Sequence, residues 1–227
     1  MADPYAPRAE THTGTAPPGP PPWLEVVEER GGATVASVAE LAALDRGEAR
    51  FVAVVYRGAG LLPLLARLRP EQAVALAITH SQVSGAQAAE APVSGESAAD
   101  AAEANDALQL LSRSGIELYA LKHGWVAGPE DRPGAVAVSA ELVAVLLDAA
   151  ERDQISWEVD PDFGYEVAAR VPGVNGPEAL ALTPRLLYTA VGRVYEHAAL
   201  VPAIRMERRS VLEAIEGLDP TIVGALD

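Results

Sequence analysis

Apolar positions along the chain fall into blocks whose spacing separates helix from strand. Phe51-Val52-Ala53-Val54-Val55-Tyr56 is an unbroken apolar run between Arg50 and Arg57, the pattern of a strand buried on both faces. Ile116 to Leu121 alternates like a strand, and Val136 to Val138 makes a shorter one. Trp157 to Val171 reads as extended chain, turned at Asp160-Pro161-Asp162, since proline and aspartate favour turns.

Helical spacing appears between these runs. Val35, Val38, Leu41 and Ala42 share one face of a helix expected over Val35 to Leu44, with Ser37 as its cap. Arg69-Pro70-Glu71-Gln72 opens a helix over Ala73 to Ile78, as proline suits a first turn. Ala107 to Ser114 is helical and stops at Gly115, the residue expected past a helix end. Ser139 caps a helix running to Ala150, with Leu142, Val143, Leu146 and Leu147 facing inward. Pro184 to Leu200 and Pro202 to Glu216 predict two more helices. Strands alternating with helices imply an α/β class, here a mixed sheet flanked by helices.

Two segments fall outside this pattern. Residues 1–22 are rich in Pro, Gly and Thr and end in Pro17-Pro18-Gly19-Pro20-Pro21-Pro22; such a segment buries too little apolar surface to offset its ordering entropy. It reads as a disordered tail, and residues 23–227 read as a single α/β domain. Residues 84–106 are Ala, Ser, Glu and Gly with one larger apolar side chain, Val93, and read as a loop or frayed helix.

Charge and composition then narrow the function. Hydrophobic residues make up 49% of the chain, Lys plus Arg total 17, Asp plus Glu total 32, and the net charge is −15. So acidic a surface repels phosphate backbones and anionic lipid, so neither nucleic acid nor a membrane is expected as a partner. A protein partner or a homo-oligomer fits better. The absence of cysteine removes disulfides and thiolate metal ligands. No basic start followed by an apolar run opens the sequence, which predicts a soluble, cytoplasmic protein.

Candidate chemistry is sparse. His12, His80, His123 and His197 are far apart, without the close spacing of a metal site. His80-Ser81 lacks the GxSxG elbow of a nucleophilic serine. Gly58-Ala59-Gly60 follows a strand where a dinucleotide fingerprint would sit, but Leu61-Leu62-Pro63 comes next and the third glycine is missing. The single lysine, Lys122, ends a strand and precedes no glycine-rich helix start, so it is not a phosphate-loop lysine. No catalytic residue and no metal site are expected.

Several blocks in order nevertheless resemble one family. Asp160-Pro161-Asp162-Phe163-Gly164-Tyr165-Glu166-Val167, then Val171-Pro172-Gly173-Val174, then Leu182-Thr183-Pro184-Arg185 are similar to a series in the C-terminal part of ATP-dependent phosphoenolpyruvate carboxykinases. Gly115 to Leu121 followed by Gly124-Trp125 resembles the family's strand ending in Asn-Thr-Gly-Trp. Phe51 to Tyr56 with Gly60-Leu61-Leu62-Pro63, Arg67-Leu68 and Glu71-Gln72 resembles an upstream strand and loop. The resemblance covers about residues 50–215 and implies the family's C-terminal nucleotide-binding fold.

The departures shape what the resemblance implies. The family's phosphate-binding loop, magnesium-binding aspartates and oxaloacetate-binding side chains belong to segments this sequence lacks. Arg57 replaces an acidic residue, and His123 stands where the family has Thr. The family's adenine pocket uses an arginine shortly after Gly-Trp and a threonine at the next helix start. Arg132 is the counterpart of the first and Glu141 falls near the second. The resemblance thus implies that Gly124, Trp125 and Arg132 are the remnant of an adenine pocket. The resemblance implies a pseudoenzyme that works by protein–protein binding as an accessory or regulatory subunit, with no cofactor. The alternative is an adenine-nucleotide sensor, or part of a carboxykinase-type enzyme completed by another chain, with ATP as ligand.

Overall fold

The computed structural model describes residues 24–35, 37–43, 49–56, 61–82, 100–122, 124–128 and 130–226. The expected tail over 1–22, Gly58-Ala59-Gly60, His123 and residues 84–99 lie outside the described residues.

The first half alternates helix and strand: α1 (Leu24–Glu29), β1 (Gly32–Val35), α2 (Val38–Ala42), β2 (Phe51–Tyr56), β3 (Leu65–Leu68), α3 (Pro70–Gln82) and α4 (Ala101–Ser114). Then follow β4 (Glu117–Lys122), β5 (Trp125–Val126), β6 (Val136–Ala137), α5 (Ala140–Glu151), β7 (Ser156–Val159) and β8 (Glu166–Arg170). The chain closes with α6 (Gly176–Ala181), α7 (Pro184–Ala190), α8 (Val194–Glu213) and α9 (Pro220–Val223).

Six strands make one mixed sheet in the order β1-β2-β4-β3-β8-β7, and β5 and β6 form a separate two-stranded ladder. β1, β2 and β4 run parallel, with Val54 opposite both Val35 and Ala120. β3 is antiparallel to both β4 and β8. The apolar run at Phe51 occupies the interior as its pattern requires: Val52, Ala53 and Val54 are fully buried. Helices cover both faces. Val27 of α1 and Leu147 of α5 lie on the Phe51 and Tyr119 face, whereas α3 packs on β2 and β4 from the other side, backed by α2, α4, α8 and α9.

Four boundaries differ from the periodic reading, each for a local reason. The helix expected from Val35 starts at Val38, because the Ser37 hydroxyl accepts the Glu40 N–H at 3.3 Å and Val35 is already paired in the sheet. Leu65–Leu68 is a strand the apolar pattern did not announce: Arg67 interrupts it, and pairing on both edges makes it one. The helix expected from Ala107 begins at Ala101, where the Asp100 carboxylate accepts the Ala102 N–H at 2.9 Å. Ala101 to Asp106 therefore belongs to α4, which takes in the end of the stretch expected to be a loop or frayed helix. The last two helices break at Val191-Gly192-Arg193 rather than before Pro202, which sits inside α8. A proline there costs the hydrogen bond to the Ala198 carbonyl. Both residues lie on the exposed side of the helix, so water replaces the missing donor.

Distant segments of the chain are joined through Gln72. Its side chain is buried, accepts the Arg69 N–H at 3.0 Å, and donates to the Gly164 and Ala225 carbonyls at 3.1 and 3.3 Å. One amide thus ties α3 to the β7–β8 turn and to the segment after α9. Phe163 and Tyr165 stack beside it at 5.7 Å between ring centres. Gln72→Ala leaves buried carbonyls without their donor and should lower unfolding free energy by about 2 kcal/mol. Gln109→Ala, on the exposed side of α4, should stay within roughly 0.5 kcal/mol of wild type. Urea denaturation of both variants checks the contrast, and equal losses would refute the role given to Gln72.

Candidate functional site

Open α/β sheets receive ligands beyond the carboxyl ends of their parallel strands. Here that edge is the end of β4 and the β5–β6 ladder that follows it. Lys122 closes β4 with 1% of its surface exposed, and its backbone N–H donates to the Leu64 carbonyl at 3.3 Å. Gly124 follows with a φ of +84°, a left-handed conformation that glycine adopts without a Cβ penalty. Its carbonyl accepts the Val138 N–H at 2.8 Å, and Trp125, half-buried, pairs with Ala137.

Arg132 leaves this ladder toward α8. Its stem lies over Gly128, where a Cβ would come within 2.9 Å of the Arg132 Cγ. Its Nη2 donates to both carboxylate oxygens of Glu196, at 3.0 and 2.9 Å. Arg193 grips the same carboxylate as a fork, Nε to Oε2 at 2.8 Å and Nη2 to Oε1 at 2.6 Å. Its Nη1 donates to the Ala127 carbonyl at 2.6 Å, and its guanidinium lies 4.6 Å above the Tyr188 ring. Hydrogen bonds from two guanidiniums, the Arg193 fork first, hold the Glu196 carboxyl down at about 2. Charge-assisted paired bonds of this kind orient groups as well as attract them. The structure thus brings Arg132 to a carboxylate and ties the β5–β6 loop to the start of α8.

The same cluster continues inward. The Tyr188 ring meets His197 edge-on at 5.4 Å, and His197 Nε2 stands 3.6 Å from Asp162 Oδ2. Burial pushes the His197 imidazole below its ordinary value, against the pull of the Asp162 charge. Asp160 accepts the N–H groups of Asp162 at 2.9 Å and Phe163 at 2.8 Å, and burial raises its carboxyl. Asp160-Pro161-Asp162 is therefore a turn stabilised by its first aspartate, as its composition predicts. Among the described residues, no group of three His, Cys, Asp or Glu is placed to hold a metal ion.

Glu141 is occupied locally. It stands exposed in the first turn of α5, where its own backbone N–H and the Ser139 hydroxyl lower its pKa. Gly124 lies between β4 and β5, Trp125 opens β5, and Arg132 lies in the β5–β6 loop. The partners of Arg132 were not foreseen. Arg193 and Glu196 carry a readable signal, opposite charges three apart at a helix start, whereas their closure on Arg132 crosses 64 residues of chain.

Two concavities among the described residues lie elsewhere. One, of about 420 Å³, is lined by Arg30, Arg50, Phe51, Glu117, Tyr119 and Glu151. Phe51 and Glu117 are the first residues of β2 and β4, so it opens at the amino ends of the parallel strands. Its cations are paired, Arg50 with Glu151 at 2.7 Å and Arg30 with Glu151 at 3.6 Å. The second is a shallow depression between Asp148, Arg152 and Pro172.

Fold and site together define an α/β protein with a mixed six-stranded sheet whose carboxyl-end loop is bridged to a long helix by an Arg–Glu–Arg cluster. Compared with protein-family models and with curated proteins, the chain matches none. Among the described residues, no helix is long and apolar enough to cross a membrane.

A group whose folded pKa is depressed binds its proton first in the unfolded chain, so its stabilisation is lost as pH falls. For Glu196 the window runs from the ordinary 4.5 down to about 2. Wild type should therefore lose stability more steeply between pH 5 and 3 than Glu196→Gln, in urea midpoints measured at both pH values. Parallel pH profiles would show that the bridge carries no stabilisation.

Proposed function

We propose that this chain is a non-catalytic, carboxykinase-like α/β domain that acts by binding protein, as an accessory or regulatory subunit. One observation carries the reading: Arg132, the residue the family resemblance would send to an adenine, is committed to Glu196 beside Arg193. Releasing it for a ligand would leave Glu196 held by one cation and the β5–β6 loop tied to α8 through the Arg193 bond to the Ala127 carbonyl alone. Glu141 supports the same view, since it stands near where the family has a hydroxyl, and a carboxylate there repels nucleotide phosphates. The outer surface supplies apolar groups for a protein contact, with Leu186, Val194, Tyr195 and Met206 all exposed.

Adenine binding is the second reading, and the space beside Gly124 favours it, as a Cβ there would meet no atom within 4 Å. Binding to the folded state alone must raise the melting temperature by mass action. Thermal unfolding with millimolar ATP or ADP and magnesium should leave wild type unshifted. A saturable rise in melting temperature that Arg132→Ala abolishes would overturn the protein-binding reading in favour of a nucleotide sensor.

A further inference from the structure

The cavity at the amino ends of the parallel strands combines aromatic walls with an excess of carboxylate. Its floor belongs to one face of the sheet, since Phe51 of β2 stands opposite Glu117 of β4 and Tyr119 follows two residues on. The Phe51 and Tyr119 rings meet nearly at right angles, 72° between planes and 5.9 Å between centres. The tip of Phe51 lies over Gly32, where any Cβ would collide with the ring. Tyr119 is stacked with Trp157 at 6.1 Å, and its hydroxyl donates to Glu117 Oε2 at 2.9 Å. Leu147, Ala150 and Glu151, from the last turn of α5, form the facing wall.

The cations around this space are already shared out. Arg30 and Arg50 reach Glu151, while Arg30 and Arg152 reach Asp148, all between 2.7 and 3.6 Å. Arg67, opposite Tyr119 on β3, bonds Glu166 at 2.7 Å. Glu117 and Asp153 also line the cavity, and among the described residues neither has a basic side chain at ion-pair distance. With the Arg67–Glu166 pair set aside as neutral, three guanidiniums therefore face four carboxylates. The carboxyl end of α5, with no basic residue in its last turn, adds the negative end of a helix dipole.

Asp153 sharpens the picture. Its φ is +54°, which makes it one of two non-glycine residues with positive φ among the described residues. It follows the end of α5, where glycine fits most readily, yet the position holds a carboxylate that faces the cavity. Burial first, then the hydrogen bond to Glu117, push the Tyr119 hydroxyl well above its ordinary value, and the Asp153 charge adds to the effect. Tyr119 therefore stays a neutral hydroxyl beside negative groups.

We propose that this cavity binds a small organic monocation, an ammonium group on an apolar body, with Glu117 and Asp153 taking the charge and Phe51, Tyr119 and Leu147 enclosing the body. Aromatic rings attract ammonium groups as carboxylates do. The volume, about 420 Å³, is that of a small-molecule site. A bare metal ion suits it poorly, because no three carboxylates among the described residues converge on a point. An anion would meet the helix carboxyl end and guanidiniums already bound to carboxylates. The site lies at the end of the sheet opposite Gly124 and Arg132, so it goes beyond the protein-binding reading and does not depend on it.

Phenethylamine, cationic at neutral pH, is a suitable probe, with phenylacetate as the anion of similar shape. The indole N–H of Trp157, assigned in ¹⁵N spectra of the full chain with Trp157→Phe, reports on the site through its stacking on Tyr119. At constant ionic strength, phenethylamine should shift that resonance saturably, with half-saturation on the order of 1 mM for a ligand of this size. Phenylacetate should not shift it. Glu117→Gln keeps the acceptor for Tyr119 and removes the charge; Asp153→Gly suits the left-handed backbone and should not lower the melting temperature. Each should weaken binding roughly fivefold or more, the scale of one exposed charge pair. No saturable shift up to about 50 mM, equal binding of phenylacetate, or wild-type affinity in both variants would overturn the cation site. None of these outcomes bears on the protein-binding reading, which the nucleotide experiment tests.

Discussion

β4 carries a constraint that the rest of the molecule obeys. Its backbone must satisfy a parallel neighbour, β2, on one edge and an antiparallel one, β3, on the other. Both its faces are covered, so Leu118 to Lys122 is buried without interruption. A parallel neighbour demands a crossover, because strands that run the same way cannot be joined by a tight turn. The chain between β2 and β4 provides it through α3 and α4, which supply one covering layer; α1 and α5 supply the other. β3, β8 and β7 extend the sheet by antiparallel pairing, and of these pairs only β7 and β8 are joined by a short connection.

The direction change at β4 also places the polar cluster. The strand delivers Gly124 and the β5–β6 ladder to the carboxyl end of the parallel half. The antiparallel half brings the Asp160 turn, and α7 and α8 bring Tyr188, Arg193, Glu196 and His197. A lone arginine on a surface loop would be mobile and well hydrated. Shared between Arg132 and Arg193, the Glu196 carboxylate instead fixes the loop to the helix, and the Tyr188 ring holds the second guanidinium in plane. Exposed ion pairs contribute little stability, so the weight of this arrangement lies in geometry: it fixes which atoms face outward.

That outward geometry joins the functional readings. Arg132 joins Arg193 and Glu196 in a closed ionic cluster, and the helix that starts there carries exposed Val194, Tyr195 and Met206. A fold by itself does not specify an activity. Chemistry depends on placed groups, and here the placed groups bind one another.

Periodicity and punctuation were enough to determine most of the frame. The run at Phe51, the Gly115 stop, the Ser139 cap and the Asp160-Pro161-Asp162 turn are local signals, each set by backbone sterics or by a hydrogen bond within four residues, and such signals survive in one dimension. Arg132, Gly124 and Trp125 were readable as a group only through resemblance to another family. What the tertiary structure alone decided were the features made by distant chain. Leu65–Leu68 became a strand because two other strands bonded its edges. Pro202 stayed inside α8 because its missing hydrogen bond faces water. Arg132 became a tie between loop and helix because Glu196 and Arg193 close on it from across the fold. None of these is encoded by spacing along the sequence, since each depends on which surfaces meet once the sheet has brought them together.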